Sequence, residues 1–328
     1  MRLPINGFLL GLIISIGAAC VFPEVGAHGG ILKSEVTTKL GVIAIFFLQG
    51  ILLPTEKLKR AILEWRLHLF IQTFNFIIVP LLALLVVTLF SEYIKPDLRI
   101  GILFLSILPT TISTAVLFSS LAGGNIGGAI FNTSLSNIIG VFIVPIWTAW
   151  LLSGASEQSI EVAPLLIKIV LLILLPMLVG QSFRPFMRNQ AQTHKKGIGR
   201  FNMAMIFYML YVAFCDSVKS GIWFDQGFSI VISAVTISFV LLLMVKSLVF
   251  VIIKVFKFNY SSAVTAFFCA SQKPLAAGVP MGTSIFTTIN NTIPELGVVL
   301  LPLMCYHSFQ ILIGGFIISR IKENSTPK

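Results

Sequence analysis

The stretch LRIGILFLSILPTTISTAVLFSSL at positions 98–121 is long and apolar enough to cross a lipid bilayer, yet a polar, proline-containing segment interrupts its middle. About 20 helical residues span the roughly 30 Å of hydrocarbon in a membrane, so the stretch has the length of one span. The interruption is Leu108-Pro109-Thr110-Thr111-Ile112-Ser113-Thr114. Because proline cannot continue the hydrogen bonds of a helix, a transmembrane helix broken near the bilayer midplane is predicted.

A second break of the same kind lies in the second half of the chain. The apolar run 261–286 contains Ser271-Gln272-Lys273-Pro274, followed by Gly278-Val279-Pro280. A break in mid-membrane frees backbone carbonyls and exposes helix-end dipoles, which is how discontinuous helices form binding sites. One proline kink alone would be an ordinary feature of a membrane helix. Two polar breaks at corresponding positions favour a binding site.

Apolar runs of spanning length recur along the whole chain. Each is continuously apolar, unlike the short alternating strands of a membrane barrel. The ten runs cover approximately residues 7–22, 37–53, 67–90, 98–121, 127–152, 164–183, 200–215, 228–256, 261–286 and 293–319. The predicted fold class is therefore an all-α integral membrane protein with ten transmembrane helices, in a single polytopic domain over residues 1–328.

Composition and charge agree with this prediction. The chain is 56% hydrophobic and 11% charged, which is more apolar surface than a soluble domain of this length could bury. The net charge of +11 comes from short basic blocks between the runs, which indicates membrane orientation and not nucleic-acid binding. Fifteen of the 23 lysines and arginines fall on one side and six on the other. Both termini are thus predicted to be cytoplasmic.

Ten spans divide into two halves of five. Because five is odd, homologous halves would have opposite orientations, as two inverted repeats over approximately residues 1–155 and 160–322. The first run has an alternative interpretation, since Arg2 and Gly17-Ala18-Ala19-Cys20 resemble a signal peptide. The same small residues would also permit close packing of a membrane helix.

Polar side chains are concentrated around the two breaks. Thr133, Ser136 and Asn137 lie three or four residues apart and share one helix face. Such a face could ligate a small cation through oxygen, hydrogen-bond a substrate, or join neighbouring helices. Asn75 precedes Pro80 in the third run, and His307 with Gln310 lies in the tenth. His307 could relay protons or be a neutral packing residue.

Two lysines lie within apolar runs. Lys273, in the second break, could carry protons, or its ammonium group could cap the carbonyls of the unwound helix. Lys246 could extend toward an interface or face a cavity.

Enzymatic activity is not expected. The histidines lack metal-ligand spacing, the cysteines are unpaired, and no phosphate-binding loop is present. No cofactor is predicted beyond a possible sodium ion.

Several stretches together resemble the bile acid:sodium symporter superfamily, and within it the orphan branch of the human family's seventh member and its bacterial homologues. These stretches are His28-Gly29-Gly30 with Leu32-Lys33, Leu67-His68-Leu69-Phe70-Ile71-Gln72, Gly123-Gly124-Asn125 with Ala129-Ile130-Phe131-Asn132, Phe214-Cys215-Asp216, and Tyr306-His307 with Gln310-Ile311-Leu312. The resemblance implies an alternating-access transporter whose fourth and ninth helices are unwound and cross at the midplane.

The resemblance also implies positions for cations. One cation would be held by Ser113, Thr114 and Thr133. A second cation of the sodium-coupled relatives uses positions that fall at Asn75, Phe267 and Ser271 here, so the carboxylate of that second site is missing. Lys273 could occupy the second cation's place. The candidate site thus comprises a cation-binding set and a substrate or crossover set: Ser113, Thr114, Thr133, Ser136, Asn137 and Asn75, and then Pro109, Ser271, Gln272, Lys273, Pro274, His307 and Gln310.

The predicted function is secondary active transport of a small organic anion, coupled to sodium with one cation or to protons, in a bacterial inner membrane. The partners are the lipid bilayer, the anion and the coupling ion, with no nucleic acid. One alternative is a regulatory membrane protein that influences calcium or ion homeostasis. Another is a proton-coupled carrier or cation–proton exchanger that uses Lys273. The substrate, the stoichiometry and the oligomeric state stay open.

Overall fold

The computed structural model describes residues 5–53, 64–153, 162–287 and 295–325, and all regular structure within these ranges is helical. The helices are α1 (Ile5–Val21), α2 (Pro23–Gly26), α3 (Ser34–Leu52), α4 (Trp65–Leu89), α5 (Pro96–Ile107), α6 (Ile112–Leu121), α7 (Ile126–Ser153), α8 (Val162–Thr193), α9 (Lys195–Lys219), α10 (Ile222–Phe256), α11 (Tyr260–Ser271), α12 (Leu275–Phe286) and α13 (Leu296–Ser325).

Each of the ten apolar runs overlaps a helix or a pair of helices separated by a break. Within the described residues, six helices are individually long and apolar enough to cross a membrane: α3, α4, α7, α9, α10 and α13. The pair α5 and α6 adds a seventh if it is counted as one bent span. The chain is thus an all-helical, multi-pass membrane protein. Ten crossings and two inverted repeats stay predictions.

The helices are interrupted at both predicted places. The first break, Leu108–Thr111, separates α5 from α6, and the axes of the two helices differ by 57°. The second break, Gln272–Pro274, separates α11 from α12. A proline disfavours helical geometry in the residue before it, and Leu108 is accordingly extended, with ψ at 148°. Gln272 is also extended, with ψ at 137°.

The four half-helices pack together, so that the two breaks are neighbours. The ring of Phe118 in α6 meets the ring of Phe268 in α11 edge to face, with centroids 5.6 Å apart. Thr114 Oγ1, in the first turn of α6, donates to Gln272 Oε1 at 2.7 Å. Helix α7 closes the first break from another side, where Gly140 leaves room for the ring of Pro109. A Cβ atom at position 140 would lie 2.9 Å from Pro109 Cγ.

Helix α4 contains a π-helical turn, Phe74–Ile78, that the sequence analysis did not predict. The N–H of Val79, the residue after this turn, donates to the carbonyl of Phe74, five residues back. It therefore does not donate to the carbonyl of Asn75, four residues back. In this register the carbonyl of Asn75 would need a donor at position 80. Residue 80 is proline, which has no N–H. The π turn therefore leaves the Asn75 carbonyl available to another part of the protein.

Helices α3 and α8 approach at backbone distance through two glycines. A Cβ atom on Gly180 would overlap the carbonyl oxygen of Phe47, and one on Gly50 would overlap the carbonyl oxygen of Met177. Small residues at such crossings let membrane helices pack closely, where apolar lipid gives no hydrophobic force between them.

This contact gives a testable prediction. Gly180→Ala forces the two backbones apart, which costs about 1–3 kcal/mol, and we expect Tm in detergent to fall by several degrees. Gly17→Ala in α1 is the control, since a Cβ there meets nothing within 4 Å. Equal Tm values for the two variants would show that the α3–α8 contact does not limit stability.

Candidate functional site

The ammonium group of Lys273 lies at the centre of the two breaks. The residue is fully buried, and its Nζ donates to three backbone carbonyls, those of Leu108 at 2.6 Å, Ser106 at 2.7 Å and Asn75 at 3.3 Å. An ammonium group has three N–H donors, so each one has an acceptor. Lys273 thereby joins the second break to the first break and to the π turn of α4.

These carbonyls are available because the helices around them are irregular. In a continuous helix the Ser106 carbonyl would accept from the N–H of Thr110, but that N–H donates to Ser136 Oγ at 3.1 Å. Leu108 lies just beyond the end of α5, and the Asn75 carbonyl is left by the π turn. A buried carbonyl without a donor costs free energy, which the lysine offsets. The geometry therefore supports the capping interpretation of Lys273.

Helix α13 holds the second break through the backbone of Lys273. Gln310 Oε1 accepts from the Lys273 N–H at 2.8 Å, and Gln310 Nε2 donates to the Lys273 carbonyl at 2.7 Å. His307 Nδ1 lies 3.2 Å from the same carbonyl and 2.7 Å from Gln310 Nε2. The side-chain amide of Gln310 thus replaces the helical partners that the N–H and the carbonyl of Lys273 lack at the break. These contacts support the packing interpretation of His307.

The predicted polar face of α7 meets the first break. Asn137 Nδ2 donates to the carbonyls of Thr110 at 3.0 Å and Thr133 at 2.7 Å. The hydroxyl of Thr133 donates to the carbonyl of Ile130 at 3.1 Å. With Ser136 on the Thr110 N–H, both backbone groups of Thr110 are bound by α7. Ser136 and Asn137 thus bind the first break from α7, while the Thr133 hydroxyl bonds within α7.

Thr110 carries an oxygen that the sequence analysis did not single out as a ligand. Its Oγ1 is buried and has no hydrogen-bond partner in the described part of the chain. Around it, α7 contributes hydroxyl and amide groups and no carboxylate. A set of neutral oxygen donors with one unpartnered oxygen suits a hard cation of low charge.

The remaining predicted cation residues lie elsewhere. Asn75 Nδ2 donates to the carbonyl of Cys269 at 3.1 Å, which joins α4 to α11. Thr114 is bound to Gln272, as described above. Ser113 is exposed, although it precedes Thr114 directly. The structure therefore brings Ser136 and Asn137 to Thr110, with Thr133 bound to Asn137 through its carbonyl, and places the other three apart from them.

Lys246, in α10, neither extends to an interface nor faces open space. The residue is 5% exposed, and its Nζ donates to Ser271 Oγ at 3.2 Å. The same Nζ lies 4.7 Å from the centre of the Phe267 ring. Ser271 and Phe267 are two of the three positions that the resemblance assigned to a second cation. Lys246, and not Lys273, is therefore the lysine whose ammonium group lies beside these two.

On one side of the helices, a cavity of about 550 Å³ opens between α3, α9 and α12. Asp216 lies at its edge, where Oδ1 accepts from the backbone N–H of His28 at 2.7 Å. Glu35 Oε1 accepts from the N–H of Gly29 at 3.0 Å and lies 3.1 Å from His28 Nδ1. Asp216 thus fixes the loop before α3.

A multi-pass helical protein with two interrupted helices that join around a polar centre has the construction of a membrane transporter. Comparison with known proteins agrees: residues 6–323 match the SBF-like CPA transporter family, and the chain belongs to this family.

Relatives cover nearly the full length. The chain is 30% identical to the putative symporter YfeH of Escherichia coli K12, over 98% of this chain and 94% of the relative. It is also 30% identical to sodium/bile acid cotransporter 7 of Rattus norvegicus, over 96% of this chain and 92% of the relative. The protein of the same name from Danio rerio is 30% identical, over 96% and 93%. The resemblance deduced from the sequence is confirmed.

The contacts of Lys273 predict a large effect on stability. Lys273→Met keeps most of the side-chain volume but leaves three buried carbonyls without a donor, at about 1–3 kcal/mol each. We expect Tm of the purified protein to fall by about ten degrees, or the yield of folded protein to be lost. Lys254→Met, on an exposed lysine of α10, is the control. A Lys273→Met protein as stable as its control would contradict the capping role.

Proposed function

We propose that this protein is a secondary active transporter that moves a small organic anion together with sodium by alternating access. One observation carries the proposal: the two broken helices pack together, and beside them the first break contacts the oxygen-bearing side chains of α7. Interrupted helices of this kind place carbonyls and helix ends where an ion and a substrate can bind together. A protein with a purely regulatory role would not need such a centre.

A sodium ion fits the first break best. The residues that would hold it are Thr110, Thr133 and Asn137, through hydroxyl and amide oxygens. The buried, unpartnered Oγ1 of Thr110 supports this assignment, because a bound cation would supply the missing interaction. No carboxylate is among these groups, which suits a monovalent ion better than a divalent one.

Two features support an anionic substrate. Lys246 and Lys273 place two ammonium groups in the interior, and neither forms an ion pair with a carboxylate in the described part of the chain. In addition, α6 and α12 begin directly after the two breaks, so the positive ends of their dipoles point into the centre. The names of the relatives, which include a symporter and a sodium/bile acid cotransporter, support coupled transport without defining the substrate.

We further propose ten spans in two inverted repeats, with both termini in the cytoplasm of a bacterial cell and the chain in its inner membrane. Contacts at the helix ends support the predicted grouping of the non-cytoplasmic segments on one side. Lys219 pairs with Glu24 at 2.9 Å, and the backbone N–H of Glu295 donates to Asp97 at 3.3 Å. All four residues fall on the side that the basic residues predict to be non-cytoplasmic.

Proton coupling through Lys273 is the less supported alternative. Its three N–H groups are all donated to carbonyls, and a neutral amine could not satisfy all three. The site therefore stabilises the permanently charged form. We assign Lys273 a structural role and propose that the coupling cation binds at the first break.

Sodium binding to the purified full-length protein tests the proposal. We expect millimolar sodium, compared with matched potassium, to raise Tm of the wild type, and we expect Thr133→Ala and Thr110→Val to lose this shift. Thr148→Ala is a matched control, because Thr148 is also buried in α7 and also donates to a carbonyl of its own helix. It should keep the sodium response.

The outcomes separate the alternatives. A sodium shift lost in Thr133→Ala and Thr110→Val but kept in Thr148→Ala would support sodium coupling at the first break. No response to sodium at any pH would rule out the proposed coupling. A shift that survives in Thr133→Ala and Thr110→Val would move the cation site away from the first break.

A further inference from the structure

The environment of Lys246 differs from that of every other lysine whose contacts the structure describes. Its ammonium group is buried with one hydrogen-bond acceptor, the hydroxyl of Ser271, which in turn donates to the carbonyl of Phe267 at 2.7 Å. The rings of Phe267 and Phe268 lie 4.7 and 5.8 Å from Nζ. Desolvated ring faces attract a cation through the quadrupole of the aromatic ring. These contacts suit a charged ammonium group, and no carboxylate pairs with it in the described part of the chain.

The position of this charge follows the architecture of the broken helices. Ser271 is the last residue of α11, directly before the second break. Lys273 likewise places its ammonium group at the end of α5, on the carbonyls of Ser106 and Leu108. Each half-helix that ends at a break therefore has a lysine ammonium at its C-terminus.

Helix C-termini carry partial negative charge, and in membrane transporters the ends of interrupted helices attract the coupling cations. In a low-dielectric interior the attraction between this partial charge and a cation is stronger than in water, and in transporters a mobile ion can supply the cation. Here a side chain from α10 reaches the same place.

We propose that the ammonium group of Lys246 is a built-in cation at the C-terminus of α11. It occupies the place that a transported coupling ion would otherwise take. The site consists of the Ser271 hydroxyl and the faces of Phe267 and Phe268. This inference rests on the proposed transport function, because only a transporter has a coupling ion to replace. The first break is then the place for a mobile cation. The existence of the cation site at Lys246 can be tested without transport.

The two lysines have different tasks in this arrangement. Lys273 satisfies three carbonyls, so its removal leaves buried acceptors unpaired. The hydrogen bond of Lys246 goes to a hydroxyl and not to a carbonyl, and two last-turn carbonyls of α11 have other donors, Asn75 for Cys269 and Tyr306 for Ser271. Replacing a buried charge by an apolar group of similar volume is often neutral or stabilising. Lys246 therefore contributes its charge, and not a structural hydrogen bond.

The experiment restores the missing group chemically. Lys246→Ala removes three methylenes and the ammonium, which together correspond to propylammonium. We expect propylammonium to raise Tm of purified Lys246→Ala in a saturable way, and 1-propanol, its neutral isostere, to have little effect. The wild type and Lys246→Met should show no such shift, because their side chains fill the site.

Lys254→Ala is the matched control on the same helix. Lys254 also lies over a phenylalanine ring, at 4.3 Å from the centre of Phe250, but it is exposed. Propylammonium should leave its Tm unchanged. A saturable shift confined to Lys246→Ala supports the proposal. No shift in folded Lys246→Ala, or an equal shift with 1-propanol, overturns it.

Lys246→Met keeps the test decisive if Lys246→Ala does not fold. With the volume conserved, we expect folded protein with at least a tenfold loss of radiolabelled sodium uptake into proteoliposomes. Uptake equal to that of the wild type would overturn the proposal. If propylammonium stabilises Lys246→Ala but the wild type transports nothing, the cation site stands and the proposed transport function fails.

Discussion

In the apolar interior of a membrane, a backbone carbonyl that leaves a helix must find its donor within the protein. The ammonium group of Lys273 meets this requirement for three carbonyls from two different helices. Without such a group the first break would bury carbonyls that have no donor, which costs free energy. The arrangement of α4, α5 and α12 around the centre depends on this one side chain.

The same requirement makes the two breaks depend on each other. The carbonyls of the first break accept from Lys273 of the second break and from Asn137 of α7, and the N–H of Thr110 donates to Ser136 Oγ of α7. The backbone of the second break is bound in turn by Gln310 of α13. Neither interruption is self-sufficient, so a movement that separates them must exchange several hydrogen bonds at once. A centre built in this way favours a few discrete arrangements over gradual deformation, which is what the proposed alternating access would need.

The sequence was sufficient where the signal is local. Proline at 109 and 274 predicted both breaks, and helical spacing predicted the common face of Thr133 and Asn137. The sequence was insufficient where the contact of a side chain depends on how two helices face each other. Ser113 and Thr114 are adjacent, but consecutive residues in a helix point about 100° apart. One is exposed, and the other meets Gln272.

Two further features could not be read from the sequence for a related reason. The π turn at Asn75 is a shift of hydrogen-bond register, and Pro80 signals only that some donor is missing. The contact of Lys246 with Ser271 depends on how α10 is rotated against α11, which a uniformly apolar helix does not specify. A charged residue in such a helix indicates function, but its partner is known only from the packing.

The distribution of charge in the interior suggests how these parts combine. Lys273 and Lys246 fix positive charge at the C-termini of α5 and α11, and within the described residues no carboxylate pairs with either. Two uncompensated positive charges make an empty centre costly, and a bound anion would relieve that cost. A mobile cation gains from the same anion, since it then enters a centre that is closer to neutral. On this argument, the proposed anion and cation would bind cooperatively because the protein holds positive charge of its own, and the first break, where Thr110 has an unpartnered oxygen, is where a mobile cation would complete the site.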